Sequence, residues 1–113
     1  MAITDEALWH AETRLWLEGA PAYRELVSGD AVMTLPEVGI LDGAQATEGA
    51  SGWQDAQLTE RRLVRSDKDV IAIAYRGDAK RTDGSAYSAY CASTYHAVGG
   101  DWQLIQHSQT VID

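Results

Sequence analysis

The chain has 113 residues, of which 45% are hydrophobic and 23% charged, and a formal net charge of −8. That length suits one domain with a buried core, read here as residues 1–113. The excess of acid argues against nucleic acid as a partner, because phosphate contacts need Lys and Arg. Cys91 is the only cysteine, so no intrachain disulfide forms. No apolar run reaches the roughly 20 residues that span a bilayer. The first residues show neither a basic n-region nor an apolar h-region. The expectation is a cytoplasmic protein with no membrane partner.

Charge is uneven along the chain. Residues 1–60 carry eleven acids and two bases, and residues 61–113 carry six acids and seven bases. Phenylalanine is absent, whereas there are five Tyr and four Trp, rings whose polar tips need hydrogen-bond partners when buried. Filling a sheet core is their commoner role, and a pocket or interface would also use them well.

Residues 4–18 read as a helix, with Thr4 as its cap and Asp5 and Glu6 in the first turn, where acids suit the dipole. Leu8, Ala11 and Leu15 mark one stripe, with Trp9 and Trp16 beside it. Gly19 and Pro21 stop the helix. Residues 22–28 suggest a second short helix, after which Gly29-Asp30 turns the chain. Residues 31–35 alternate as a strand, Pro36 interrupts it, and residues 39–42 resume it. Residues 44–50 are weakly helical. A four-strand meander follows: residues 57–65, residues 70–81, and two long strands flanking the Gly99-Gly100-Asp101 turn. Short connections favour antiparallel neighbours.

Helices followed by long strands predict an α+β fold. A strongly curved antiparallel sheet wraps the N-terminal helix into a cone, leaving a cavity at the open end and a bare sheet face outside. Arg61, Arg62, Arg65 and Lys68 cluster on and beside the first meander strand, as charges protecting a sheet edge do.

Particular residues carry a family resemblance. The run Ser93-x-Tyr95, Gly99-Gly100, Trp102-x-Leu104 and His107-x-Gln109-Thr110 resembles the C-terminal hairpin of the nuclear transport factor 2-like superfamily. That superfamily includes ketosteroid-isomerase-like and polyketide-cyclase-like proteins. Asp69 to Tyr75 and Asp30 to Met33 also resemble its strands. The match is nearest to small bacterial domains of unknown function, with Val111 where Pro is usual and Ala92 where Ser is usual. The resemblance implies the cone fold and commonly a homodimer packed through the sheets. It implies no activity, because this fold hosts isomerases, cyclases, hydrolases and plain binding modules.

Two functional readings follow. One is a homodimeric module that binds a small apolar or aromatic ligand. The other is a cofactor-free acid–base enzyme of isomerase, cyclase or hydratase type acting on a small cyclic or carbonyl compound. Chemistry of the ketosteroid-isomerase kind needs a carboxylate base, with a tyrosine and a protonated acid as oxyanion donors. Glu12, between the turns of Trp9 and Trp16, is the candidate base, and His107 is the other candidate acid–base group. Tyr75, Tyr90 and Tyr95 lie on meander strands, and Asp42 ends a strand at a possible rim. The expected pocket residues are Trp9, Glu12, Tyr75, Tyr95, His107 and Gln109. Trp102 and Leu104 share one strand face and His107 and Gln109 the other, unless a bulge near Ile105 shifts the register. His10, His96 and His107 lack ligand spacing, so no metal is expected, and no cofactor.

Overall fold

Helix α1 of the computed structural model, which describes residues 3–112, spans Asp5–Glu18. Its cap is Thr4, whose Oγ1 accepts the Ala7 N–H at 3.1 Å. Gly19 ends it at φ 70°, a left-handed backbone that favours glycine. A Cβ there would also lie 2.6 Å from the Gly52 nitrogen, so the close crossing of residues 51–52 demands glycine twice over. Helix α2, Ala20–Leu26, starts on Pro21 in its first turn.

Strand β1, Val27–Leu35, follows directly, so the expected turn at Gly29-Asp30 is instead a strand. It pairs with β6 at Val27 and again from Val32, with the register shifting between them. Strand β2, Gly39–Asp42, returns antiparallel to β1. Helix α3, Gly43–Gly49, is closed by a capping box in which Asp42 and Gln45 satisfy each other's backbone. Strands β3 (Asp55–Ser66), β4 (Val70–Lys80), β5 (Ala86–Val98) and β6 (Asp101–Val111) form the expected antiparallel meander.

The six strands make one curved, unclosed sheet in the order β2-β1-β6-β5-β4-β3. One pairing, β1 with β6, is parallel, because the whole intervening meander returns the chain to the same end. The fold is an α+β cone. Helix α1 fills its concavity, packing Leu8, Trp9, Leu15 and Trp16 on Ile71, Ile73, Tyr75, Cys91 and Tyr95 of the inner face. Edge strand β3 carries Arg61, Arg62 and Arg65. Glu60 and Arg61 together oppose Tyr75, a bulge in which Glu60 takes φ 51°. The bulge swings the Arg61 guanidinium to 5.0 Å above the Trp9 ring.

A second bulge decides the site. Thr94 pairs with Gln106 and Tyr95 with Leu104, which leaves Ile105 as the extra residue. Ile105 turns outward, and Leu104 and His107 are both buried. The bulge therefore reunites the two faces that strict alternation would separate. No helix is long and apolar enough to cross a membrane among the described residues.

Candidate functional site

A carboxylate sits inside the cone. Glu12 lies on the buried stripe of α1 and is 1% exposed. An isolated charge there would be very costly, so its partners matter. Three hydroxyls from the inner sheet face donate to it. Tyr75 and Ser93 reach Oε2 at 2.6 and 2.8 Å, and Tyr95 donates to Oε1. The Tyr75 hydroxyl in turn accepts the Trp16 indole N–H at 3.0 Å. Register explains the convergence: Ile73 pairs with Ser93 and Ser93 with His107, so adjacent inner positions on neighbouring strands face one point on α1.

The network continues through His107. Its Nδ1 lies 2.6 Å from Ser93 Oγ and 3.5 Å from Glu12 Oε2. Its Nε2 lies 3.0 Å from Gln109 Nε2, and Tyr87 donates to Gln109 Oε1 at 2.6 Å. With the carboxamide assigned this way, its nitrogen can only donate, so His107 Nε2 accepts. The imidazole proton then sits on Nδ1 and points at Ser93, which passes its own to Glu12. Burial holds the His107 pKa below the usual value, against the pull of the Glu12 charge. Burial first, and the Glu12 charge second, push Tyr75 and Tyr95 well above the usual phenol range. Tyr23 and Cys91 are each pushed up to about 12 for the same two reasons, which favours the protonated thiol at Cys91.

Beside this network lies a cavity of about 470 Å³, within the range of small-molecule sites. Glu12, His107 and Gln109 border it, with Tyr87 and Tyr23. Met33, Leu41 and Leu104 give an apolar wall, and Trp16 and Trp53, 5.2 Å apart edge to face, give an aromatic one. Arg81 and Thr82 of the β4–β5 hairpin stand at the rim. Among the described residues, no group of three His, Cys, Asp or Glu side chains could hold a metal ion.

Of the six residues expected in a pocket, the structure sets Glu12, His107 and Gln109 on the cavity wall. Tyr75 and Tyr95 sit behind Glu12 as its donors, and Trp9 packs edge to face on Tyr75 at 5.8 Å. Tyr90 is 53% exposed on the outer sheet face, because its parity on β5 is opposite to that of Tyr95. Asp42 caps α3. Sequence reasoning missed Ser93 as a Glu12 donor, and Tyr87, Trp53 and Arg81 as cavity residues. For Tyr87 a signal existed: it shares strand parity with Ser93 and Tyr95.

No family model and no curated protein matches the chain. Solved structures do. The chain is similar to a nuclear transport factor 2-like protein of unknown function in nutrient uptake from Rhodospirillum rubrum. The two share 15% identity over 97% of this chain and 100% of that one, with a TM-score of 0.82. It is also similar to the association domain of the C. elegans kinase CaMKII, at 11% identity over 93% and 90% of the chains and a TM-score of 0.70. A third likeness is to a hexachlorocyclohexane dehydrochlorinase, at 12% identity over 96% and 82% and a TM-score of 0.69. The fold is that of nuclear transport factor 2-like proteins.

Proposed function

We propose that the chain is a homodimeric small-molecule-binding module whose cavity takes a flat, largely apolar ligand. One observation carries this reading. The acid–base groups beside the cavity are consumed by one another: Glu12 accepts three hydroxyls, and both nitrogens of His107 are engaged. Every buried side-chain nitrogen and oxygen among the described residues has a partner. A general base needs a free lone pair facing its substrate, whereas a binding wall needs shape, aromatic area and a few fixed polar groups.

Self-association is supported by the outer sheet face. Val32, Ile40, Val64 and Tyr90 stand exposed there, around the small residues Ala72, Ala74 and Ala92. The similar kinase domain is an association domain by its description. The expected mass by light scattering is twice the 12.3 kDa of one chain, and a monomer at micromolar concentration refutes the dimer.

The enzymatic reading keeps one supporting observation, the Glu12–Ser93–His107 chain ending at the cavity wall. A ligand that displaced the Gln109 amide would free His107 Nε2 as a base. Calorimetric titration with 2-naphthamide, a neutral flat probe, tests the module. One site per protomer is expected, weakened at least tenfold by Ala50→Trp, which fills the cavity wall. Wild-type protein that binds neither 2-naphthamide nor 2-naphthoate, or equal binding by the variant, overturns the reading. Binding unaffected by His107→Gln, with no turnover of cyclic ketones, favours the module over the enzyme.

A further inference from the structure

We propose that the ligand is a flat aromatic or alicyclic anion, bound with its charged end outward against Arg81. This rests on the cavity reading above and adds the ligand's charge and orientation.

The cavity is electrically lopsided. Two formal charges border it, Glu12 and Arg81. Glu12 is buried among its hydroxyl donors, and Arg81 is exposed at the rim. A ligand anion driven deep would meet the Glu12 charge in low dielectric, which is strongly unfavourable. An anion at the rim meets Arg81.

Arg81 is set to receive it. Its guanidinium lies 5.4 Å from the Trp53 ring centroid and 5.2 Å from that of Tyr87, so both aromatic faces fix its plane. Among the described residues it donates to neutral groups of its own hairpin, the Ser85 hydroxyl and the Ala86 carbonyl, at 3.3 and 3.4 Å. No carboxylate lies within ion-pair distance of it among the described residues. Arg14, Arg65 and Arg76 are each spoken for by such a partner. The nearby Asp83 carboxylate accepts the Ser85 backbone N–H at 2.9 Å and feels the Arg81 charge from beyond ion-pair distance. A guanidinium lying over two neighbouring rings on a cavity wall, with no carboxylate in ion-pair contact among the described residues, presents the planar fork that matches a carboxylate. The same rings, with Trp16 behind them, offer the ligand's body its stacking surface.

The test uses two probes of one shape, 2-naphthoate and 2-naphthamide, titrated calorimetrically into the full chain. Wild type is expected to bind naphthoate about tenfold more tightly, the worth of one charge-assisted hydrogen bond at a partly exposed site. Arg81→Gln is expected to erase that preference, Arg81→Lys to retain part of it, and Arg62→Gln on edge strand β3 to leave it and naphthamide binding intact. Raising salt to about 0.5 M weakens naphthoate binding only, a readout that needs no variant. Equal binding of the two probes, or a preference that survives Arg81→Gln, overturns the anion inference and leaves the cavity reading standing. Failure of folded wild-type protein to bind either probe overturns the cavity reading and this inference with it.

Discussion

Replacing Tyr95 by Phe removes one atom from the centre of the network. The Tyr95 side chain is 1% exposed, so neither solvent nor an empty volume enters the account. Its hydroxyl is the donor to Glu12 Oε1, whereas Tyr75 and Ser93 both serve Oε2. The variant therefore leaves one carboxylate oxygen buried without its hydroxyl donor. A hydrogen bond to a charged group contributes about 1.5–3 kcal/mol net, and a phenyl ring in place of a phenol adds no cavity term. The expected loss is about 2–3 kcal/mol, or a melting point lowered by roughly 10 °C for a chain of this size. Tyr75→Phe is the internal comparison. There Oε2 keeps Ser93, but the Trp16 indole loses its acceptor, a neutral orphan with an expected cost of about 1–2 kcal/mol. Urea melts at pH 7 and one fixed protomer concentration measure both, so that any dimer contributes equally. A Tyr95→Phe loss below about 0.5 kcal/mol refutes the account of Glu12 as a charge held by this hydroxyl. So does additivity in the cycle with Glu12→Gln, where contact predicts coupling above about 0.5 kcal/mol.

Two further outcomes follow from the same geometry. His107 titrates below its unfolded value of about 6.5 because burial disfavours its charged form, so the unfolded chain binds the extra proton first. Its contribution is complete above about pH 6.5 and is lost as pH falls toward the folded value; His107→Gln should flatten that limb in denaturant melts taken between about pH 7 and 5, and an unchanged slope refutes it. A Cβ on Gly43 would sit 1.9 Å from the Ser28 carbonyl oxygen, so Gly43→Ala must push α3 off β1. The expected loss is about 1–3 kcal/mol, together with weaker probe binding, since Ala46 and Gln45 of α3 line the cavity; a stable variant with intact binding contradicts that packing.

The strands of the meander are legible in the chain because alternation and turn residues are local signals. The Ser28-Gly29-Asp30 run misleads for the same reason. Its turn chemistry is real, but the parallel pairing with β6 on either side, at Val27 and from Val32, is made with residues more than seventy positions away, and the segment lies in the register shift between them. Glu12 is legible as a candidate by its place on the buried stripe. Its partners are not, because which hydroxyls meet it depends on the stagger of β4, β5 and β6. Ser93 is the clearest case: as a small residue in a strand it signals nothing until the register sets it between Glu12 and His107. Arg81 is hidden differently. In sequence it ends the second meander strand, and only the β3–β4 register, which pairs Asp55 with Lys80, brings it beside Trp53.

The Ile105 bulge shows how one residue divides a strand by function. Before it, Trp102 packs half-buried against the core and Leu104 is buried with the apolar wall. Beyond it, the inward positions are His107 and Gln109, the links from Ser93 to Tyr87. Strict alternation would bury either the apolar pair or the polar pair and expose the other. The extra residue lets β6 bury both, with the change from apolar to polar falling where the strand passes Glu12. A charge confined in this way is satisfied before any ligand arrives. The inner wall has little left to offer a ligand by way of new polar bonds. On the proposed reading, discrimination between ligands falls to the aromatic wall and the rim guanidinium.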